Sequence, residues 1–109
     1  MTTSPTVIAV SLKAYFGCRQ TIRWCERTAE LLGGHPALLD GPPNVRLVVL
    51  PSTPLLPVAR QVFRGTPVEV GAQDVSRHPP GAWTGEVTAA LLEGAGVQPA
   101  GRQSLGGTR

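Results

Sequence analysis

Apolar residues gather in three short runs, each followed by a stretch in which they recur at helical spacing. The runs are Val7–Leu12 (VIAVSL), Val45–Leu50 (VRLVVL) and Val68–Gln73 (VEVGAQ). The first is β-branched and mostly apolar rather than alternating, which predicts a strand covered on both faces. Cys18, Ile22, Cys25, Ala29 and Leu32 then recur at +4, +3, +4 and +3, tracing one stripe of a helix over residues 18–32. Arg19, Arg23, Glu26, Arg27 and Glu30 take the other side. Arg23 with Arg27, and Glu26 with Glu30, repel slightly at four-residue spacing, so charge does not drive this helix. Gly33-Gly34 reads as its stop. A Gly- and Pro-rich loop over 33–44 leads to the second strand. Leu55, Leu56, Val58, Ala59, Val62 and Phe63 give a second helix its buried side. Thr53 is its candidate cap, Pro54 its first residue, and Pro57 still lies in the first turn. Gly65 and Pro67 close it. A third helix takes Val87, Ala89, Ala90 and Leu91 as its apolar side, Thr84 as N-cap and Glu86 as a first-turn acid near the positive helix end. Gly94 and Gly96 end it.

Strand and helix alternating three times predict an α/β fold with a parallel sheet. The units differ in length, so no short-period array is present. Residues 98–109 (QPAGRQSLGGTR) break the pattern: they hold Pro99 and three glycines, with no β-branched run. They are expected to be an unstructured tail rather than a fourth strand, which divides the chain at 1–97 and 98–109. So abrupt a change suggests a truncated, frame-shifted or deliberately shortened chain.

At 109 residues the chain has room for one small domain, and 41% hydrophobic against 16% charged residues places it among globular chains. A net charge of +3 raises the question of nucleic acid. The arginines, however, are scattered singly and no aromatic residues interleave with them, so no nucleic-acid partner is expected. Cys18 and Cys25 stand seven apart. On a helix that is about 10.5 Å of rise, too far for a disulfide. Nothing in their context suggests a metal site. Two buried free thiols fit a reducing cytoplasm. Neither a secretory signal nor a membrane span is expected.

The most specific wording lies in Gly71-Ala72-Gln73-Asp74 and Gly81-Ala82-Trp83-Thr84-Gly85-Glu86. The first ends the third strand; the second opens the following helix. Together they resemble the third βα unit of the triosephosphate isomerase family, which carries a Gly-Ala-Gln-Asn strand end and a Gly-Ala-aromatic-Thr-Gly-Glu loop. Asp74 departs from that Asn. Ser11-Leu12-Lys13 is similar to the family's Asn-x-Lys, with Ser11 where the family has Asn. The resemblance spans about residues 7–97. It implies a (β/α)8 TIM barrel, which needs roughly 250 residues. This chain then supplies about three βα units of parallel sheet, a partial barrel.

The resemblance further implies a cofactor-free sugar-phosphate isomerase. Such an enzyme interconverts aldose and ketose phosphates through an enediol, acts in glycolysis and gluconeogenesis in the cytoplasm, and works as a homodimer. Lys13 is the single lysine and ends the first strand. By itself it reads as a solvated strand-end lysine. The resemblance implies that it binds the anionic substrate, where a compact ammonium neutralises phosphate and developing enediolate charge. Ser11 is implied as its substrate-binding neighbour. A serine keeps a donor but loses the reach of an amide, which leaves triose and slightly longer ketose phosphates open. Its other reading is a short side chain tolerated at the barrel mouth. Gln73, Thr84 and Glu86 are implied at the dimer interface; for Thr84 and Glu86 the helix-cap reading is compatible with that. The family's catalytic His follows strand four and its Glu base strand six. No such role passes to His35, His78, Glu69 or Glu93, so no catalytic residue is expected to be retained. The isolated chain is therefore expected to be inactive and marginally stable, with its first and third strands as open edges. A non-enzymatic fragment that docks on another barrel chain, or a remnant without function, are the alternatives.

Overall fold

Residues 6–33 and 45–97 are described by the computed structural model. In chain order they form β1 (Thr6–Ser11), α1 (Cys18–Gly33), β2 (Val45–Leu50), a 3-10 turn at Thr53–Leu55, α2 (Leu56–Val62), β3 (Glu69–Val70) and α3 (Ala89–Gly94). The expectations for 34–44 and for the 98–109 tail lie outside the described residues.

The strands form one parallel sheet in the order β1-β2-β3. Thr6 pairs with Val45 and the register runs unbroken to Ser11 with Leu50. Val48 pairs with Glu69 and Val49 with Val70. Parallel neighbours joined by helices are the βα units that the alternating pattern predicted.

Side chains alternate across β2. Leu47 and Val49 face the helices, where Val49 joins Cys25, Leu56, Ala59, Phe63, Val70 and Leu92 in the main core. Val48 and Leu50 face the other way and pack with Ala9. The second half of β2 is thus buried on both faces, the environment its continuous apolar run suits. β1 departs from that expectation: its first three residues are exposed, Ile8 to 49%. It has β2 on one side only among the described residues, and Val10 is its contact with the main core.

α1 begins where expected. The Gly17 N–H donates to Gln20 Oε1 at 3.3 Å, the reciprocal half of a capping box. Thr21 Oγ1 donates back to the Gly17 carbonyl at 2.9 Å. The buried side centres on Thr21 and Cys25, while Cys18 is exposed. Only one of the two thiols is therefore buried, because Cys18 sits at the helix entry, ahead of the face that meets the sheet. The Arg27–Glu30 pair is largely solvated and contributes little.

α2 also differs in detail. No side chain caps it, and Thr53 lies inside the preceding 3-10 turn. Prolines in the first positions need no partner for a missing N–H, so a cap is less necessary. Leu55, Leu56, Ala59 and Phe63 are buried, whereas Val58 is exposed on the far side of the turn. Regular β3 is shorter than residues 68–73. Beyond it the Gly71 N–H still donates to the Val49 carbonyl at 2.9 Å. Gln73 then leaves the ladder and uses its side chain instead.

The third helix corrects the reading of residues 84–88. No helix opens at Gly81. Ser76 and Thr88 form a parallel bridge, and the Ser76 N–H donates to the Val87 carbonyl at 2.7 Å. That pairing holds 87–88 extended. α3 starts at Ala89 with Thr88 as N-cap, whose Oγ1 accepts from the Leu91 N–H at 3.3 Å. Thr84 is not the cap and Glu86 is not in the first turn. The shifted start also rotates the buried face, so Leu92 is buried and Leu91 is 64% exposed. The helix ends at Gly94, and Gly96 turns the chain at φ 74°. Thr88→Ala is expected to cost about 1 kcal/mol in urea unfolding and Thr84→Ala close to nothing. Equal losses would contradict this cap assignment.

Candidate functional site

The carboxyl ends of the parallel strands converge on Lys13. Its backbone has φ 53°, in the left-handed region. For a residue with a Cβ that conformation costs about 1–2 kcal/mol, so the surroundings must hold it. They do so through the Lys13 carbonyl. Ser52 Oγ, just after β2, donates to it at 3.0 Å. Gln73 Nε2, past β3, donates to it at 2.9 Å. The same Nε2 donates to the Leu50 carbonyl at 2.9 Å, which uses both amide protons. Leu50 also accepts from the Leu12 N–H at 3.0 Å. One turn is thereby tied to the ends of all three strands.

The Lys13 side chain is exposed and pairs with no carboxylate among the described residues. A compact ammonium left free at such a rim suits a phosphate group. Ser11 is half-buried, and its Oγ accepts from the Lys13 N–H at a long 3.3 Å. Ser11, Lys13 and Gln73 are thus brought together. Asp74 is exposed, and its Oδ1 accepts from the Val75 N–H at 2.9 Å.

Thr84 and Glu86 lie on the loop between β3 and α3. The loop is closed at its base by the Ser76–Thr88 bridge and by Ser76 Oγ donating to Glu86 Oε1 at 3.4 Å. Near its tip the His78 and Trp83 rings stack with centroids 4.0 Å apart and planes 12° from parallel. Trp83 Nε1 donates to the Pro79 carbonyl at 2.9 Å. This internal bracing leaves Ala82, Trp83 and Thr84 facing outward. Between loop and sheet, Thr53, Asp74, Ser76 and Glu86 help line a cleft of about 90 Å³. That is room for a few waters, not for a sugar phosphate.

At the opposite end of the sheet, Arg46 grips Glu69 with two bonds of 2.7 Å. Hydrogen bonding from Arg46 holds the Glu69 carboxyl below the usual carboxylate range, against the opposing effect of partial burial. The stabilisation from the pair is therefore present at neutral pH and fades as pH falls through that lowered value. A carboxylate so held is a structural partner, not a proton shuttle. Burial, reinforced by the neighbouring Glu26, pushes the Cys25 thiol up to about 11. It is inert at neutral pH. No group of three or more metal-ligating side chains occurs among the described residues.

Two features escaped the sequence reading. Ser52 follows β2 on the same rim as Lys13, and its place at a strand end was the signal available. The His78–Trp83 stack had no signal beyond two aromatic rings in one loop. No helix of the described residues is long and apolar enough to cross a membrane.

The chain is similar in sequence to several known isomerases. L-erythrulose-1-phosphate isomerase of Pectobacterium atrosepticum is 43% identical over 98 residues, covering 90% of this chain and 37% of that protein. Triosephosphate isomerase of Thermus thermophilus is 54% identical over 50 residues, 46% of this chain and 20% of that protein. Triosephosphate isomerase of Xylella fastidiosa strain M12 is 43% identical over 55 residues, 50% of this chain and 22% of that protein. The chain thus spans between a fifth and two fifths of these relatives' lengths. The family model for triosephosphate isomerase matches residues 6–100, which takes in the three parallel strands, the Lys13 turn and the loop after β3. On that match, which runs through every described residue, the chain belongs to the triosephosphate isomerase family.

Proposed function

We propose that this chain supplies the phosphate-gripping side of a sugar-phosphate isomerase that interconverts aldose and ketose phosphates in the cytoplasm without a cofactor. The observation that carries this reading is Lys13: an ammonium at the carboxyl rim with no carboxylate partner among the described residues, on a backbone held in a costly conformation. Strain kept by dedicated hydrogen bonds is characteristic of a functional position. The enediolate formed in such a reaction is anionic, and a fixed cation beside it lowers the barrier. The base that moves the proton and the electrophile that polarises the carbonyl are assigned to no residue described here. The 109-residue chain alone is therefore expected to bind sugar phosphate without turning it over.

Within this class a four-carbon ketose phosphate is the favoured substrate. Ser11 is shorter than the Asn of the family motif and leaves more room beside Lys13. The erythrulose-phosphate relative also matches across most of the chain. Titration with L-erythrulose 1-phosphate, dihydroxyacetone phosphate and unphosphorylated erythrulose, followed by amide NMR, tests the reading. Shifts at residues 11–17, 52 and 73 are expected with the phosphates, strongest with the four-carbon one. Equal shifts with the unphosphorylated sugar would overturn it. Turnover by the chain alone, lost on changing Lys13, would overturn the expected inactivity.

In the same reading Thr84 and Glu86, with Gln73 behind them, belong to a homodimer contact made by the braced loop after β3. A second reading, a non-catalytic module docking on another barrel chain, is favoured by β1 and β3, which each have β2 as their one partner among the described residues. Co-elution with a full-length relative supports docking; its absence counts against it.

A further inference from the structure

We propose that Ser52 is a positioning residue: with Gln73 it locks the Lys13 backbone in the left-handed conformation that aims the ammonium at the phosphate. This rests on the role given to Lys13 above. The two donors reach the Lys13 carbonyl from different elements, Ser52 from the turn after β2 and Gln73 from the end of β3. They occupy both acceptor positions of that oxygen, so the peptide plane following Lys13 cannot rotate without breaking both bonds. Gln73 is anchored a second time on Leu50. The Ser52 carbonyl accepts from the Leu55 N–H at 2.9 Å, while the Ser52 hydroxyl has the Lys13 carbonyl as its partner among the described residues. Its hydroxyl is not needed to start the next helix, since no side-chain cap bond is made there. Among the described residues the N–H of Lys13 has only the long contact to Ser11. The carbonyl side therefore holds the turn, and Ser52 is the donor whose loss leaves Gln73 alone.

A side chain that merely packs beside the turn would not alter the Lys13 dihedral angle. Intraresidue amide-to-Hα cross-relaxation is strongest at positive φ and reads that angle directly. Because Lys13 is the single lysine, the assignment is unambiguous. Inorganic phosphate serves as the binding probe, followed by amide NMR of the full chain. In Ser52→Ala the Lys13 cross-relaxation is expected to weaken and the phosphate Kd to rise about fivefold, the loss of one ordinary hydrogen bond. Ser52→Thr, which keeps the hydroxyl, should restore both. Ser52→Cys, nearly isosteric with a weak donor, should fall between and disturbs packing least. An unchanged Lys13 angle in Ala and Cys variants overturns the positioning role. Lys13→Met separates the two readings: phosphate shifts that survive it refute the Lys13 site, while the angle measured in the Ser52 variants still decides the role of Ser52.

Discussion

Lys13→Met is expected to weaken binding of L-erythrulose 1-phosphate by roughly 10- to 100-fold, which corresponds to a charged hydrogen bond of about 1.5–3 kcal/mol. Methionine keeps an unbranched stem of similar reach and removes only the charge and its donors. The loss should shrink in high salt, because the exposed ammonium acts through solvent. Arginine at this position is not expected to restore affinity. Its planar fork presents donors further from the backbone, and the left-handed turn sets the direction from which they approach. Calorimetric titration of the wild-type chain and both variants provides the measurement. A methionine variant that binds the sugar phosphate as tightly as the wild type would remove the basis of the proposed function.

Phe63→Ala is expected to unfold the chain at room temperature. Phe63 is 2% exposed and lies in the main core with Ala59, Val68 and Leu92. Removing a buried aromatic ring costs about 3–5 kcal/mol through lost transfer energy and the cavity left behind. Small domains hold only about 5 kcal/mol or a little more in reserve. Val58→Ala is the matched control: Val58 belongs to the same helix but is 37% exposed, so its loss should stay near 0.5 kcal/mol. Circular dichroism with urea unfolding of both variants checks the contrast. A cooperative wild-type-like transition in Phe63→Ala would show that the core is not organised around this ring.

Several parts of this architecture were legible in the chain itself. β2 was read at its observed bounds because six consecutive residues, mostly β-branched or leucine, fit a strand buried on both sides. α1 was read to within one residue because its stripe runs for four turns between two glycine signals. The third helix was misread. Thr84 and Thr88 are both plausible caps, and only the Ser76–Thr88 bridge selects between them. A cap is a local motif, but which of two candidates is used depends on what holds the preceding residues extended. Cys18 and Leu91 were placed on buried faces for the same kind of reason: spacing gives a helix a phase, and packing decides where the covered arc begins and ends.

By itself a lone lysine after an apolar run reads as a solvated strand end; Lys13 was singled out through the resemblance of Ser11-Leu12-Lys13 to the family motif. Its conformation and its holders were not. The bonds that shape the turn join Lys13 to Ser52 across 39 positions and to Gln73 across 60. The Arg46–Glu69 pair likewise spans 23 positions. What the sequence alone determined is the order of elements and the faces of the long ones, because these follow from spacings of two to four residues. What the tertiary structure decided is the sheet order, the true helix cap and the grip on the Lys13 carbonyl. Those depend on which distant backbone groups the parallel sheet brings to one rim, and no local period encodes that.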